Sequence, residues 1–83
     1  MKIYYFARLR QVIGRGQEDM AVPAHVKTVS ELIDYLKGRD AGVAAAFADL
    51  RSFKVAVDQS HCALDASIIG AAEVAFFPPV TGG

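Results

Sequence analysis

The sequence predicts an α+β domain: a mixed β-sheet with one main helix packed on one face and a projecting C-terminal tail. Three observations carry this reading. Strand-like segments rich in aromatic and β-branched residues stand near both ends, Lys2 to Arg8 and Glu73 to Phe77. A capped amphipathic helix begins at Thr28. A Pro-Pro pair and then a Gly-Gly pair come after the last strand.

Lys2 to Arg8 divides into two parities. Ile3, Tyr5 and Ala7 form one; Lys2, Tyr4, Phe6 and Arg8 form the other. The second has a charge at each end, so it faces water despite its two aromatics. Gly14-Arg15-Gly16 marks a turn. Gln17 to Val22 alternates weakly and fits a second strand, paired with the first across a wide connection. Thr28-Val29-Ser30-Glu31 is a capping box, and Val29, Leu32, Ile33 and Leu36 draw one apolar helical face. Gly38 is a natural stop. Val43, Ala46, Phe47 and Leu50 repeat the helical spacing and predict a second short helix. Phe53, Val55 and Val57 alternate with Lys54, Ala56 and Asp58 as a half-buried strand. Asp58-Gln59-Ser60-His61 is turn-prone, a short strand comes next around Cys62 to Leu64, and Ile68-Ile69-Gly70 leads into the last strand. Strand, strand, helix, then strands is the order of a β-grasp, or ubiquitin-like, fold.

No repeat, low-complexity tract or linker interrupts this pattern, so residues 1–83 read as one unit, with 77–83 as its extended tail. A chain of 83 residues buries only about 60–65% of its unfolded surface. With 53% apolar residues, it is expected to fold and to leave some apolar surface for an interface. Nine basic and nine acidic side chains cancel, and Arg8, Arg10 and Arg15 form only a loose group. A nucleic-acid binder would carry a basic stripe, so that class is disfavoured. The group reads first as a solvated edge and second as a docking site for an acidic partner or a phosphate. Cys62 is the one cysteine, so there is neither an internal disulfide nor a structural zinc pair. The apolar N-terminal run is too short for a signal peptide or membrane span, which predicts a cytoplasmic protein with no membrane association. His25 and His61 fall on loop-like segments without ligand spacing, and the aspartates show no acid–base pairing; both sets read as solvated. With no glycine-rich phosphate loop, any nucleoside triphosphate the chain's chemistry needs must be bound by a partner.

The tail is the informative part. Pro78 and Pro79 lack the amide proton a central strand needs, and they stiffen the chain as it leaves the sheet. Val80, Thr81, Gly82 and Gly83 then make an arm of roughly 13–14 Å at 3.3–3.6 Å per residue. Two residues without side chains fit a narrow tunnel and leave the terminal carboxylate open. Such a carboxylate becomes an acyl donor when a partner adenylates it, and sulfur can then displace AMP to leave a thiocarboxylate. Chain ends are often inert, so the glycines gain weight only from the spacer and strand before them. Parity adds a second line. Glu73 should face water, which places Ala75 and Phe77 on the same outer face, opposite Val74 and Phe76. Phe77 with Tyr4 and Phe6 predicts an exposed aromatic patch of the kind that marks a partner surface.

The run Phe76-Phe77-Pro78-Pro79-Val80-Thr81-Gly82-Gly83 closely resembles the ending of the small, sulfur-carrier subunit of molybdopterin synthase, a MoaD-like family of ubiquitin-like proteins. The opening Lys2 to Arg10, Thr28 to Leu32 and Val55 to Gln59 resemble its first strand, helix start and mid-chain turn. The resemblance implies that an E1-like activating enzyme, which binds the ATP and Mg²⁺, adenylates Gly83, and that a sulfur donor protein converts it to the thiocarboxylate. Gly82 precedes it in the reactive end. The arm, through Pro78, Pro79, Val80 and Thr81, would enter the large subunit and deliver sulfur to cyclic pyranopterin monophosphate within a heterotetramer. The chain would bind no cofactor of its own, and the catalytic residues would lie in the large subunit. Phe6 and Phe77 would contact the partner, and His61 aligns with an apolar contact of the family. Asp58 where Asn is frequent, and Ala71 and Ala72 where acidic residues are frequent, depart from the pattern. Three alternatives remain: a thiamin-pathway sulfur carrier, a ubiquitin-like protein modifier joined through Gly83, and an interaction domain with an inert tail.

Overall fold

In a computed structural model, which describes residues 1–49 and 53–79, the first strand is shorter than its composition suggests. β1 spans Lys2–Tyr5. Phe6 continues extended, and Ala7 then turns into left-handed space at φ 52°. There the chain enters a helix, α1 (Ala7–Ile13), which the sequence pattern did not anticipate and which takes Arg8 out of the strand. Leu9 and Ile13 bury its inner side, with Val12 packed beside them. Gly14 closes it at φ 88°, its N–H donating to the Arg10 carbonyl at 2.9 Å. β2 (Gln17–Asp19) pairs antiparallel with β1, as a hairpin with a wide connection requires.

α2 (Val29–Arg39) begins with the expected capping box: Thr28 Oγ1 accepts from the Glu31 N–H, and Glu31 accepts from the Thr28 N–H. Val29, Leu32, Ile33 and Leu36 are its buried face. The helix runs through Gly38, which has no neighbour to avoid, and stops at Asp40, an extended residue. The Asp40 carboxylate accepts from the N–H groups of Gly42 and Val43 at 2.8 and 3.3 Å, and so opens α3 (Ala41–Asp49). β3 (Lys54–Val57) and β4 (Ser60–Cys62) form a hairpin, and β5 (Glu73–Phe77) ends where the prolines begin. β4 therefore lies two residues earlier than expected, and His61 belongs to a strand rather than a loop. His25 lies exposed in a turn, as expected.

The sheet order is β2-β1-β5-β3-β4. β1 and β5 are parallel at the centre, and the other pairs are antiparallel. α1, α2 and α3 all contribute to one core; the sequence pattern anticipated the main helix and its short successor. Ile3, Tyr5, Val55, Val74 and Phe76 pack against residues such as Leu9, Leu32, Leu36 and Val43. The fully buried Phe76 ring meets Phe47 and Phe53 edge-on, with centroids 5.3 and 6.2 Å away. This is the β-grasp arrangement: a mixed sheet with its principal helix on one face.

Candidate functional site

Strand pleating fixes which side chains leave the core. Register places Tyr4 opposite Ala75, Lys54 opposite Phe77, and Ala56 between His61 and Ala75. These residues share the face that the core does not use. Phe6 extends β1 by one step, its N–H donating to the Phe76 carbonyl at 3.1 Å, so it comes level with Phe77 on that face. Phe6 is 48% exposed, while Tyr4 and Phe77 are half-buried. The Tyr4 and Phe6 rings stack at 6.3 Å, and the His61 ring meets Phe77 edge-on at 5.3 Å. The outward parity read from the sequence therefore holds, and it joins Tyr4, Phe6, His61 and Phe77 on one sheet face.

β5 leads from this face directly into Pro78 and Pro79, both half-buried. Val80, Thr81, Gly82 and Gly83 lie outside the described residues. The aromatic face thus borders the point where the chain leaves the sheet for the Gly-Gly end.

A polar cluster that the sequence did not reveal braces this region from the core side. The buried Tyr5 hydroxyl donates to Glu18 at 2.7 Å. Arg15 donates to Glu18 at 2.9 Å and to Asp40 at 2.6 Å, and Arg39 reaches Glu18 at 3.4 Å. Burial, and then the bond to Glu18, push the Tyr5 phenol far above its ordinary range. Burial alone would raise the Glu18 carboxyl, but the Tyr5 hydroxyl and the guanidinium groups together hold it below the ordinary value. The Arg15 hydrogen bond, and after it the Gly42 N–H, lowers Asp40. Arg15 is thus tied into structure and is not the solvated edge expected of it. The only sequence hint was Glu18 at an inward-facing position of a short strand.

Among the described residues no cluster of His, Cys, Asp and Glu could hold a metal ion. No helix there is long and apolar enough to cross a membrane. A hollow of about 350 Å³ lined by Met1, Val22, Pro23, Ile68 and Ile69 lies where β1 begins, and it has no titratable side chain. Cys62 is half-buried on the core side, its Sγ 3.9 Å from the Val55 carbonyl.

Known proteins share this geometry. The molybdopterin synthase sulfur carrier subunit of Escherichia coli (strain K12) is 34% identical over 83 residues, covering 100% of this chain and 99% of that protein. The crystal structure of SAMP1 from Haloferax volcanii matches with a TM-score of 0.75 at 26% identity, covering 99% of this chain and 97% of that one. A Pyrococcus furiosus structure named for putative molybdopterin converting factor, subunit 1, matches with a TM-score of 0.73 at 27% identity over 95% of each chain. The model of the ThiS family matches residues 3–83, and on that match and the full-length similarity the chain belongs to the ThiS family.

Proposed function

We propose that this chain is the sulfur-carrier subunit of a molybdopterin synthase, acting through a thiocarboxylate on Gly83. The observation that carries the reading is the continuity from aromatic face to tail: Phe6 stands beside Phe77, the last residue of the strand whose chain continues through Pro78 and Pro79 to Gly82-Gly83 in the sequence. Full-length similarity to a molybdopterin synthase sulfur carrier subunit supports the choice of pathway.

In this reading an activating enzyme binds ATP and Mg²⁺. The Gly83 carboxylate attacks the α-phosphate, pyrophosphate leaves, and an acyl-adenylate forms. A sulfur nucleophile displaces AMP. Where the sulfur arrives as a persulfide, a thiol then reduces the S–S bond and frees the thiocarboxylate. Sulfur passes to the pterin acceptor in the large subunit, and water restores the carboxylate. This chain supplies the docking surface, the stiff spacer and the reacting carboxyl; the acid–base groups belong to its partners. Phe6, His61 and Phe77 meet the partner from the open sheet face, while Pro78 to Thr81 thread the arm.

The test is the intact mass after incubation with ATP, Mg²⁺, a sulfur donor and the activating enzyme, beside a chain lacking Gly83. A gain equal to one oxygen replaced by sulfur, absent from the truncated chain, is expected. Transfer from the charged form to cyclic pyranopterin monophosphate, with the large subunit present, then establishes the pathway. A ladder of isopeptide conjugates without pterin turnover would instead establish a protein modifier.

A further inference from the structure

Arg10 is built differently from the other arginines of its region. Arg15 and Arg39 direct their charge at Glu18 and Asp40. Among the described residues, Arg10 has no acidic partner. Its side chain is nonetheless placed. It lies across Gly16, so close that a Cβ there would come within 3.1 Å of Nε and 3.4 Å of Cδ and Cζ. It lines a surface hollow of about 460 Å³ whose other walls are Tyr4, Tyr5, Phe6, Gly16 and Gln17. Two of those walls, Tyr4 and Phe6, are the stacked pair of the docking face. The hollow is therefore a side pocket of that face: aromatic walls, one guanidinium without an acidic partner among the described residues, and an opening to solvent. On the other flank of the same face, exposed Lys54 stands beside Phe77, also without an ion pair among the described residues.

We infer that the hollow beside Phe6 is a subsite for a carboxylate side chain of the docking partner, with Arg10 as its counter-ion and Lys54 as a second cationic contact across the patch. The inference rests on the docking surface proposed above and names the chemistry of its partner. An apolar surface alone would be met by an apolar patch. Here aromatic walls border a guanidinium with no anion among the described residues, and an Asp or Glu of the partner supplies the charge and accepts a fork of N–H bonds. Gly16 is part of the device, because a side chain there would crowd the Arg10 Nε and Cζ.

The experiment measures binding of the full-length chain to its activating enzyme by titration calorimetry, at low and high salt. The variants are Arg10→Ala, Arg10→Lys, Arg10→Glu, Gly16→Ala, Lys54→Ala, Phe6→Ser and, as a distant control, Lys37→Ala. Arg10→Ala is expected to weaken binding about tenfold or more at low salt, the scale of a lost charge-assisted bond. It should also flatten the salt dependence. Arg10→Lys should restore the salt dependence but only part of the affinity, and Gly16→Ala should weaken binding less than Arg10→Ala. Melting temperatures close to the parent exclude a folding defect. A complementary Asp or Glu to Arg change in the enzyme that restores binding to Arg10→Glu identifies the carboxylate. Parent-like affinity and salt dependence of Arg10→Ala, with Phe6→Ser impaired, would overturn the inference and leave a purely apolar docking face. A parent chain that neither binds nor gains sulfur would overturn the proposed function itself.

Discussion

At the scale of single residues, the Tyr5–Glu18–Arg15–Asp40 cluster makes the sharpest demands. The side chain of Glu18 is only 16% exposed and accepts from three donors. Glu18→Ala is therefore expected to cost about 1–3 kcal/mol, since the Tyr5 hydroxyl and two guanidinium groups lose an acceptor. Chemical denaturation checks this. The pH dependence has a definite sign. Glu18 and Asp40 are held below their ordinary values. Their contribution is thus present above the ordinary carboxylate range and is lost as pH falls through the lower folded values. Melting temperature against pH should drop below the ordinary range, and a Glu18→Gln, Asp40→Asn double variant should start lower and drop less. The β3–β4 turn offers the opposite change. Asp58 and Gln59 sit at φ 48° and 70°, as a two-residue hairpin turn requires. The Asp58 carboxylate also accepts from the N–H groups of Ala72 and Glu73, at 2.9 and 3.0 Å. Those two bonds hold Asp58 in its left-handed conformation, whereas Gln59 is exposed at the tip of the turn. Gln59→Gly is expected to stabilise the chain by about 0.5–1 kcal/mol by relieving left-handed strain, again read by chemical denaturation.

At the scale of elements, legibility depended on whether local pattern and tertiary packing agree. α2 carries its own signals, cap and stripe together, and it forms where they stand. Thr28→Ala should cost about 1 kcal/mol through the lost cap, measurable as a lowered melting temperature. α1 carries weaker signals. Leu9, Val12 and Ile13 have helical spacing, but aromatic residues ahead of them favour a strand, and the change of state occurs at Ala7, which must adopt a positive φ. An alanine gives no sequence warning of that. The end of α2 shows the same limit: Gly38 has the chemistry of a stop, yet the Asp40 carboxylate, which caps the next helix, decides where the axis breaks.

At the scale of the molecule, the two faces of β5 separate the core from the open face proposed for docking. Phe76 is fully buried and Phe77 is half-exposed one residue later. Phe76→Ala should cost about 3–5 kcal/mol. Phe77→Ser should leave the melting temperature near the parent value and reduce sulfur loading by weakening the encounter with the activating enzyme. An equal loss of stability in both variants would argue against the open-face placement of Phe77.

Residue order alone was enough for the period-two strands, the capped helix, the outward parity of Tyr4, Phe6 and Phe77, and the succession of elements that makes a β-grasp. These are local properties: side-chain alternation, cap chemistry and the missing proline amides are all decided within a few residues. Three-dimensional packing was needed to bring Phe6 level with Phe77, to carry His61 to the same patch, and to pair Arg15 with Glu18 and Asp40. Those facts depend on the parallel β1–β5 pairing, on the antiparallel β5–β3–β4 pairings and on the junction between α2 and α3, which bring together groups far apart in the chain. No periodicity records such a contact, because its geometry is set by packing rather than by neighbours in sequence.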